Sequence, residues 1–258
     1  MNTLKTDKNS LADMLKAEGM EIESNTLTDS SLYLYRTNNI AESKAYQKGL
    51  FHIMDESSLL SVKALAPKKG STVLDLCAAP GGKSFAIAEA MENTGLVISR
   101  DIYEHKVRLI EEGAVRLGLD CIRPEMRDAM IPDTDTKADY VVVDAPCSGL
   151  GLVRKKPDIK YSKKPEDIDE LVNIQRKILT AAEKSVAPDG ILLYSTCTIS
   201  HKENIDNVRW FCDNFDFEPD KIENITGYDT AKEGHIQILP CDNDTDGFFI
   251  ARLRRKNG

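Results

Sequence analysis

The sequence lacks any long apolar run. Among its 258 residues the longest stretch without Lys, Arg, Asp or Glu is twelve residues, 190–201. A bilayer-spanning helix needs about 20 apolar residues, so none is expected. The first residues contain no apolar h-region, because Lys5, Asp7, Lys8, Asp13 and Lys16 interrupt them. No secretory signal is expected, and the chain reads as soluble and cytoplasmic. Cysteines at 77, 121, 147, 197, 212 and 241 form no C-x-x-C pair, and histidines at 52, 105, 201 and 235 are dispersed. This argues against a disulfide framework and against metal-ligand spacing. Internal repeats and low-complexity tracts are missing too. With 41% hydrophobic and 29% charged residues, the composition is that of a globular chain.

A net charge of −8 speaks at first against a nucleic-acid partner. The charge is uneven, however. Residues 151–165 carry Arg154, Lys155, Lys156, Lys160, Lys163 and Lys164 against Asp158, a net +5. Residues 247–258 add Arg252, Arg254, Arg255 and Lys256, a net +4. Two basic stretches on an acidic body suit phosphate contacts as well as they suit solvated charge.

The middle of the chain alternates strand-like and helix-like segments. Strands are expected at Thr72–Leu76, Leu96–Ser99, Tyr140–Asp144, Gly190–Ser195 and Phe248–Leu253, with a less clear one ending near Asp128. Helices are expected near Lys83–Glu92, Glu104–Leu117, Glu166–Ala187 and Lys202–Asn214, Val107, Ile110, Ala114 and Leu117 giving the second its helical period. Such alternation implies an α/β fold with a mostly parallel sheet covered on both faces. Residues 1–50 read as a partial α+β module, with a helix around Leu11–Leu15 and a strand at Ser31–Tyr35; residues 51–258 read as the main domain. Residues 215–246 are polar and weakly periodic, as in a loop or short hairpin.

In an open parallel sheet, ligands sit beyond the carboxyl ends of the strands. Asp75 is followed there by Cys77-Ala78-Ala79-Pro80-Gly81-Gly82-Lys83, whose glycines allow close backbone approach. Asp101 lies twenty residues after Gly81, the spacing of a ribose-binding acid. Asp128 and Asp144 close two further strands. A P-loop is the rival for Gly82-Lys83-Ser84, but Cys77 stands where G-x-x-x-x-G-K-[ST] needs glycine, and Pro80 removes a phosphate-cradling N–H. A dinucleotide site would want G-x-G-x-x-G, which is missing from this turn. An adenosyl cofactor without a pyrophosphate fits better.

Asp144-Ala-Pro-Cys147-Ser-Gly and Ser195-Thr-Cys197-Thr each follow an apolar strand, so both thiols should project from the edge that carries the glycine turn. Thiols beside a methyl donor suit alkylation of a pyrimidine at carbon 5. A thiolate adding at carbon 6 breaks aromaticity and makes carbon 5 enamine-like. A carboxyl group at ring nitrogen 3 would stabilise the charge that develops, and Asp144 is its candidate. Packing is the simplest role for Cys121, Cys212 and Cys241. Trp210, Phe211, Phe215 and Phe217 are stacking candidates whose helical placement favours the core.

Leu74–Ser84, Asp144–Gly151 and Tyr194–Thr198 resemble the signature motifs of the Sun/Fmu RNA (cytosine-5) methyltransferases, the family of RsmB-like 16S ribosomal RNA methyltransferases. Asp55-Glu-Ser-Ser58, Arg154–Lys160, Glu203-Asn204 and Asp246-Gly-Phe-Phe249 agree in the same order. The resemblance implies a class I, Rossmann-like methyltransferase with a seven-stranded sheet, using S-adenosyl-L-methionine on RNA, ribosomal RNA first and transfer RNA as the alternative. It implies that Cys77–Lys83 lines the methionine end, that Asp101 binds the ribose and that Asp128 lies at the adenine. Asp144 would face cofactor and base, with Lys83 as electrostatic support. Cys197 would be the nucleophile and Cys147 would assist release; DNA cytosine-5 methyltransferases use a Pro-Cys thiol as nucleophile, so the swapped assignment is the alternative. Full-length relatives carry an upstream helical RNA-binding domain, which is not expected here, and Met1–Thr6 resembles an internal motif. A shortened chain or a natural short member is expected, or else an inactive RNA-binding remnant, against which both thiols and Asp144 count.

Overall fold

The computed structural model describes residues 1–23, 28–35, 39–243 and 245–256. Residues 24–27 and 36–38 of the N-terminal segment, 244 of the polar stretch and 257–258 of the basic terminal run lie outside the described residues. In chain order the strands are β1 (Glu21–Glu23), β2 (Tyr33–Tyr35), β3 (Thr72–Asp75), β4 (Leu96–Asp101), β5 (Ile122–Met126), β6 (Ala138–Asp144), β7 (Val186–Thr196), β8 (Phe217–Pro219), β9 (His235–Ile238) and β10 (Phe248–Arg255). The α-helices are α1 (Lys8–Ala17), α2 (Lys44–Gln47), α3 (Glu56–Leu65), α4 (Gly82–Ala90), α5 (Glu104–Leu117), α6 (Ile159–Ser162), α7 (Pro165–Glu183), α8 (Ile205–Asn214) and α9 (Pro240–Asn243).

The large sheet runs β5-β4-β3-β6-β7-β10-β8, with β9 also on β10. The pairs from β5 to β7 are parallel, and β10 is antiparallel to β7, β8 and β9. The sheet has eight strands but seven positions, because β9 pairs with Phe248–Ala251 and β8 with Leu253–Arg255. Strand alternation sorts the core into two layers. Val73, Val97, Val142, Leu193 and Ile250 pack on one face with Ile87 of α4 and Ile110 and Leu117 of α5. Leu74, Ile98, Val141, Val143, Leu192 and Tyr194 pack on the other with Ile178 and Leu179 of α7 and Phe211 of α8. Helices therefore cover both faces of a class I, Rossmann-like fold.

The largest boundary differences from the sequence expectation fall between α7 and β7. Helix α7, opened by Pro165 at its first turn, ends at Glu183 rather than Ala187, and β7 starts at Val186 instead of Gly190. The turn-like Pro188-Asp189-Gly190 is a strand irregularity, with Asp189 at φ +57° and a register shift between Ala138 and Tyr140. The polar stretch after α8 holds β8, β9 and a 3-10 turn at Asp229–Glu233.

The N-terminal segment has a small apolar cluster of its own: Leu11, Leu15, Met20, Ala45 and Phe51. It is tied to the end of α5. Asn2 Nδ2 donates to the carbonyls of Gly49 and Leu117, and the Arg116 guanidinium donates to those of Tyr46 and Phe51. Among the described residues no helix is long and apolar enough to cross a membrane, and no group of three or more His, Cys, Asp or Glu is arranged to hold a metal ion.

Candidate active site

Strands β3, β4, β6 and β7 are parallel and in register, so their carboxyl ends deliver Asp75, Asp101, Asp144 and Thr196 to one edge. The strand order reverses between β3 and β6, where a crevice is expected. Beyond β3 the backbone turns through Cys77–Pro80 to Gly81 at φ +110°, the residue before α4. A Cβ on Gly81 would stand 2.4 Å from the Phe85 ring, so both the conformation and the space require glycine. Helix α4 starts without a side-chain cap on its first N–H groups.

Lys83, in the first turn of α4, is buried and spans the switch point: its Nζ lies 2.7 Å from Asp144 Oδ2. The Ser195 hydroxyl donates to Asp144 Oδ1 at 2.7 Å, so both carboxylate oxygens are engaged. Lys83 Nζ also sits 5.1 Å from the centre of the Phe248 ring. Removing one member of such a pair leaves the other charge poorly compensated, at about 3–5 kcal/mol for a fully buried pair; Asp144 is 32% exposed, so water lowers the figure.

The two thiols that the sequence puts on neighbouring strand ends meet. Cys147 Sγ and Cys197 Sγ are 3.2 Å apart, each half-buried. Backbone bonds lock the two loops, Ala145 N–H to Ser195 O and Gly151 N–H to Cys197 O. Gly151 also packs on Gly247, where a Cβ would stand 1.9 Å from the Gly247 oxygen. The thiol environments differ. The hydrogen bond with Cys147 holds Cys197 below the ordinary thiol range; burial and Asp144 oppose that, and Lys83 reinforces it. The same bond, and then burial, pushes Cys147 well up. Burial first, then Asp75, Asp144 and Asp101, also pushes Cys77 up, so the thiol in the glycine turn stays protonated.

Asp101 is buried at the end of β4, accepting the Tyr103 N–H at 3.1 Å, with Lys106 Nζ 3.8 Å away. Asp128 stands two residues past β5 and accepts the Met130 N–H at 2.8 Å. Ala78 is buried and its N–H donates to Arg100 O, fastening the glycine turn to β4. Sequence reasoning gave two carboxylates here no role. Asp75 is fully buried, accepts the Ser84 hydroxyl and leaves Oδ1 without a hydrogen-bond partner among the described residues. Burial pushes it up to about 6. Glu203 is fully buried behind the thiol loops. Only its place in a family-like dipeptide marked it in the sequence.

The basic stretches separate. Arg154, Lys155, Lys156, Lys160, Lys163 and Lys164 are exposed on the segment leaving the Cys147 loop. Lys155 bridges Asp55 at 2.6 Å and Asp246 at 2.7 Å. Phe211 and Phe217 are core residues, and Trp210 and Phe215 pack against them.

A model of the family described as 16S rRNA methyltransferase RsmB/F matches residues 62–254. Over 99% of its length the chain is 44% identical to the "Probable ribosomal RNA small subunit methyltransferase B" of Bacillus subtilis (strain 168), of which it covers 59%. Over 95% it is 33% identical to the "tRNA (cytosine(72)-C(5))-methyltransferase" of Pyrococcus horikoshii, covering 62% of that protein. The solved structure of PH0851 superposes with a TM-score of 0.92 at 32% identity, over 98% of this chain and 58% of that one. The chain thus spans about three-fifths of the relatives it matches.

Proposed function

The chain belongs to the RsmB/F 16S rRNA methyltransferase family, and from that premise we propose that it methylates carbon 5 of a cytosine in RNA, small-subunit ribosomal RNA in the cytoplasm, with S-adenosyl-L-methionine as donor. The observation that carries this reading is the 3.2 Å approach of Cys147 and Cys197 beside the Lys83–Asp144 pair. Binding alone needs neither thiol. The chemistry needs two.

The edge of the sheet fits the donor. The uncapped start of α4 offers N–H groups and a positive helix end to a carboxylate. Gly81 and Gly82 keep the approach open, with Ala78, Ala79 and Pro80 forming the turn before them. Asp101 would hold the ribose and Asp128 would lie at the adenine; Asp75, at the end of β3, offers an Oδ1 without a hydrogen-bond partner among the described residues. When bound, S-adenosylmethionine supplies an electrophilic methyl on a sulfonium.

Cys197, the thiol held low, attacks carbon 6 of the cytosine and forms an S–C bond. The electron pair displaced from the ring double bond makes carbon 5 nucleophilic, so that it would accept the methyl group a bound donor supplies. The Asp144 carboxyl, held by Lys83 and Ser195, would face the nitrogen 3 side of the base and pass a proton to it, neutralising the negative charge that thiolate addition puts on the ring. Transfer of the carbon 5 proton to water would then return electrons to the ring and expel Cys197 as a thiolate, nitrogen 3 giving its proton back to Asp144, with Cys147 beside it to assist release. The target base must leave its stack to present both faces. The exposed basic segment would hold backbone phosphates without reading sequence.

The test is denaturing gel electrophoresis after incubation with S-adenosylmethionine and ribosomal or transfer RNA. Cys147→Ala should trap a covalent protein–RNA band, and Cys197→Ala should give none. The reverse pattern makes Cys147 the nucleophile. A band with transfer RNA alone moves the substrate to that class, and no band with either RNA counts against the reading.

A further inference from the structure

Glu203 lies between the Cys197 loop and α8, and its buried carboxylate collects four donors. Oε1 accepts the Ser148 backbone N–H at 2.8 Å and Gln175 Nε2 at 3.1 Å. Oε2 accepts the Ser148 hydroxyl at 2.5 Å and the Thr198 hydroxyl at 3.2 Å. Ser148 follows Cys147 and Thr198 follows Cys197, so one carboxylate clasps the residue next to each sulfur. The clasp is anchored in turn. The Glu203 carbonyl accepts the Tyr194 hydroxyl at 2.6 Å, tying it to β7. Gln175 of α7 also donates to Pro146 O at 2.9 Å and is itself held by Asn207 Nδ2 at 2.8 Å.

We propose that Glu203 is a positioning residue for methyl transfer, the carboxylate that sets the Cys147 loop against the Cys197 loop and keeps Cys147 as the thiol while Cys197 attacks. This rests on reading Cys197 as the nucleophile. Four converging donors call for a group that only accepts; a glutamine would turn its own NH₂ toward one of them. None of the four donors carries a charge, so no cation among them offsets the buried carboxylate. That charge bears on the thiols unequally. Glu203 adds to the upward push on Cys147, after the hydrogen bond to Cys197 and burial, whereas the cation acting on Cys197 is Lys83.

The proposal is tested on the thiols directly, without donor or RNA. The full chain and its Glu203→Gln, Glu203→Asp and Ser148→Ala variants are treated with iodoacetamide across a pH series. Cys147 and Cys197 peptides are then quantified by mass spectrometry, and circular dichroism reports folding. Wild type should be alkylated first at Cys197. Glu203→Gln should raise the Cys147-to-Cys197 ratio about tenfold, as repulsion that keeps Cys147 protonated is lost and its loop slackens. Glu203→Asp, which keeps the charge, should recover part of it. In methyl transfer Glu203→Gln should lower kcat while KM for S-adenosylmethionine holds. A folded Glu203→Gln with the wild-type alkylation ratio overturns the proposal. If that variant does not fold, Ser148→Ala decides: it keeps the carboxylate but loses the shortest of the four bonds, so the Cys147 loop slackens, the thiol–thiol hydrogen bond weakens and the ratio should shift the same way by about threefold. An unchanged ratio there overturns the proposal as well. A wild-type chain that alkylates at Cys197 first yet methylates no RNA would sink the methyl-transfer reading alone, since the thiol ratio still decides the role of Glu203.

Discussion

Two stretches of this chain carry nearly the same positive charge and use it in opposite ways. The arginines of β10 are consumed by the fold. Arg252 donates to Asp220 Oδ2 at 2.7 Å and to the carbonyls of Ala64 and Leu65 at 2.9 and 2.6 Å, closing the end of α3. Arg254 shares Asp220 and reaches Asp189 O; Arg255 pairs with Glu183 and lies over the Phe217 ring. The lysines of 156–163 stand out in solvent beside the thiol loops. A charge run therefore says how many cations there are. The register of the element that carries them says whether a ligand can have them.

The largest expected effect falls on the consumed set. Arg252→Ala leaves two helix-end carbonyls and Asp220 short of donors, and should lower unfolding stability by about 2–4 kcal/mol in urea melts. RNA affinity per folded molecule should hold; a parallel loss of affinity would break the contrast. Next comes the exposed set. Replacing Lys156, Lys160 and Lys163 together by Ala should leave the melting temperature within a degree or so, because exposed charges contribute little to stability. Under the proposed function, binding to RNA should weaken about 10- to 100-fold, and the slope of log affinity against log salt should fall by about 2. A salt titration by filter binding separates the two sets in one experiment. An unchanged slope would mean that this segment is solvated charge and nothing more.

What the sequence made legible follows the same division. Apolar strands and the polar residues after them were readable, because a parallel sheet buried on both faces must be written as short apolar runs. That brought Asp75, Asp101, Asp144, Cys147 and Cys197 to one edge before any coordinates. The start of β7 was not readable, since Pro188-Asp189-Gly190 has turn chemistry and only pairing with β6 makes it strand. Strands β8 and β9 are three and four residues long on the far edge of β10, too short for alternation to show. The fate of the β10 arginines depends on Asp220 and on the end of α3, which are distant in sequence. Glu203 looked like one acid among many. Its meaning comes from four donors, three of them on residues that follow cysteines fifty residues apart.

The smallest expected effect applies the contrast between consumed and available groups to two aspartates of the crevice. Asp144 has both oxygens engaged by Lys83 and Ser195. Asp75 has one hydroxyl on Oδ2 and a buried, unpartnered Oδ1. Burial raises Asp75 to about 6, Asp144 adds to that, and the Ser84 bond and Lys83 offset it in part. The unfolded value is about 3.9. Between these two values the native chain holds a proton that the unfolded chain has released, so stability falls as pH rises through that window and levels off above about 6. Asp75→Asn imitates the protonated side chain. It should match wild type near pH 4 and exceed it by about 1–2 kcal/mol at pH 7, provided its amide finds the Ser84 hydroxyl. Burial likewise raises Glu89, to about 7. That acid is present in both proteins and cancels in the difference. The measurement is urea unfolding of both chains from pH 4 to pH 8. A difference that stays constant with pH would mean that Asp75 ionises as freely in the fold as out of it, and that its bare oxygen is no less satisfied than those of Asp144.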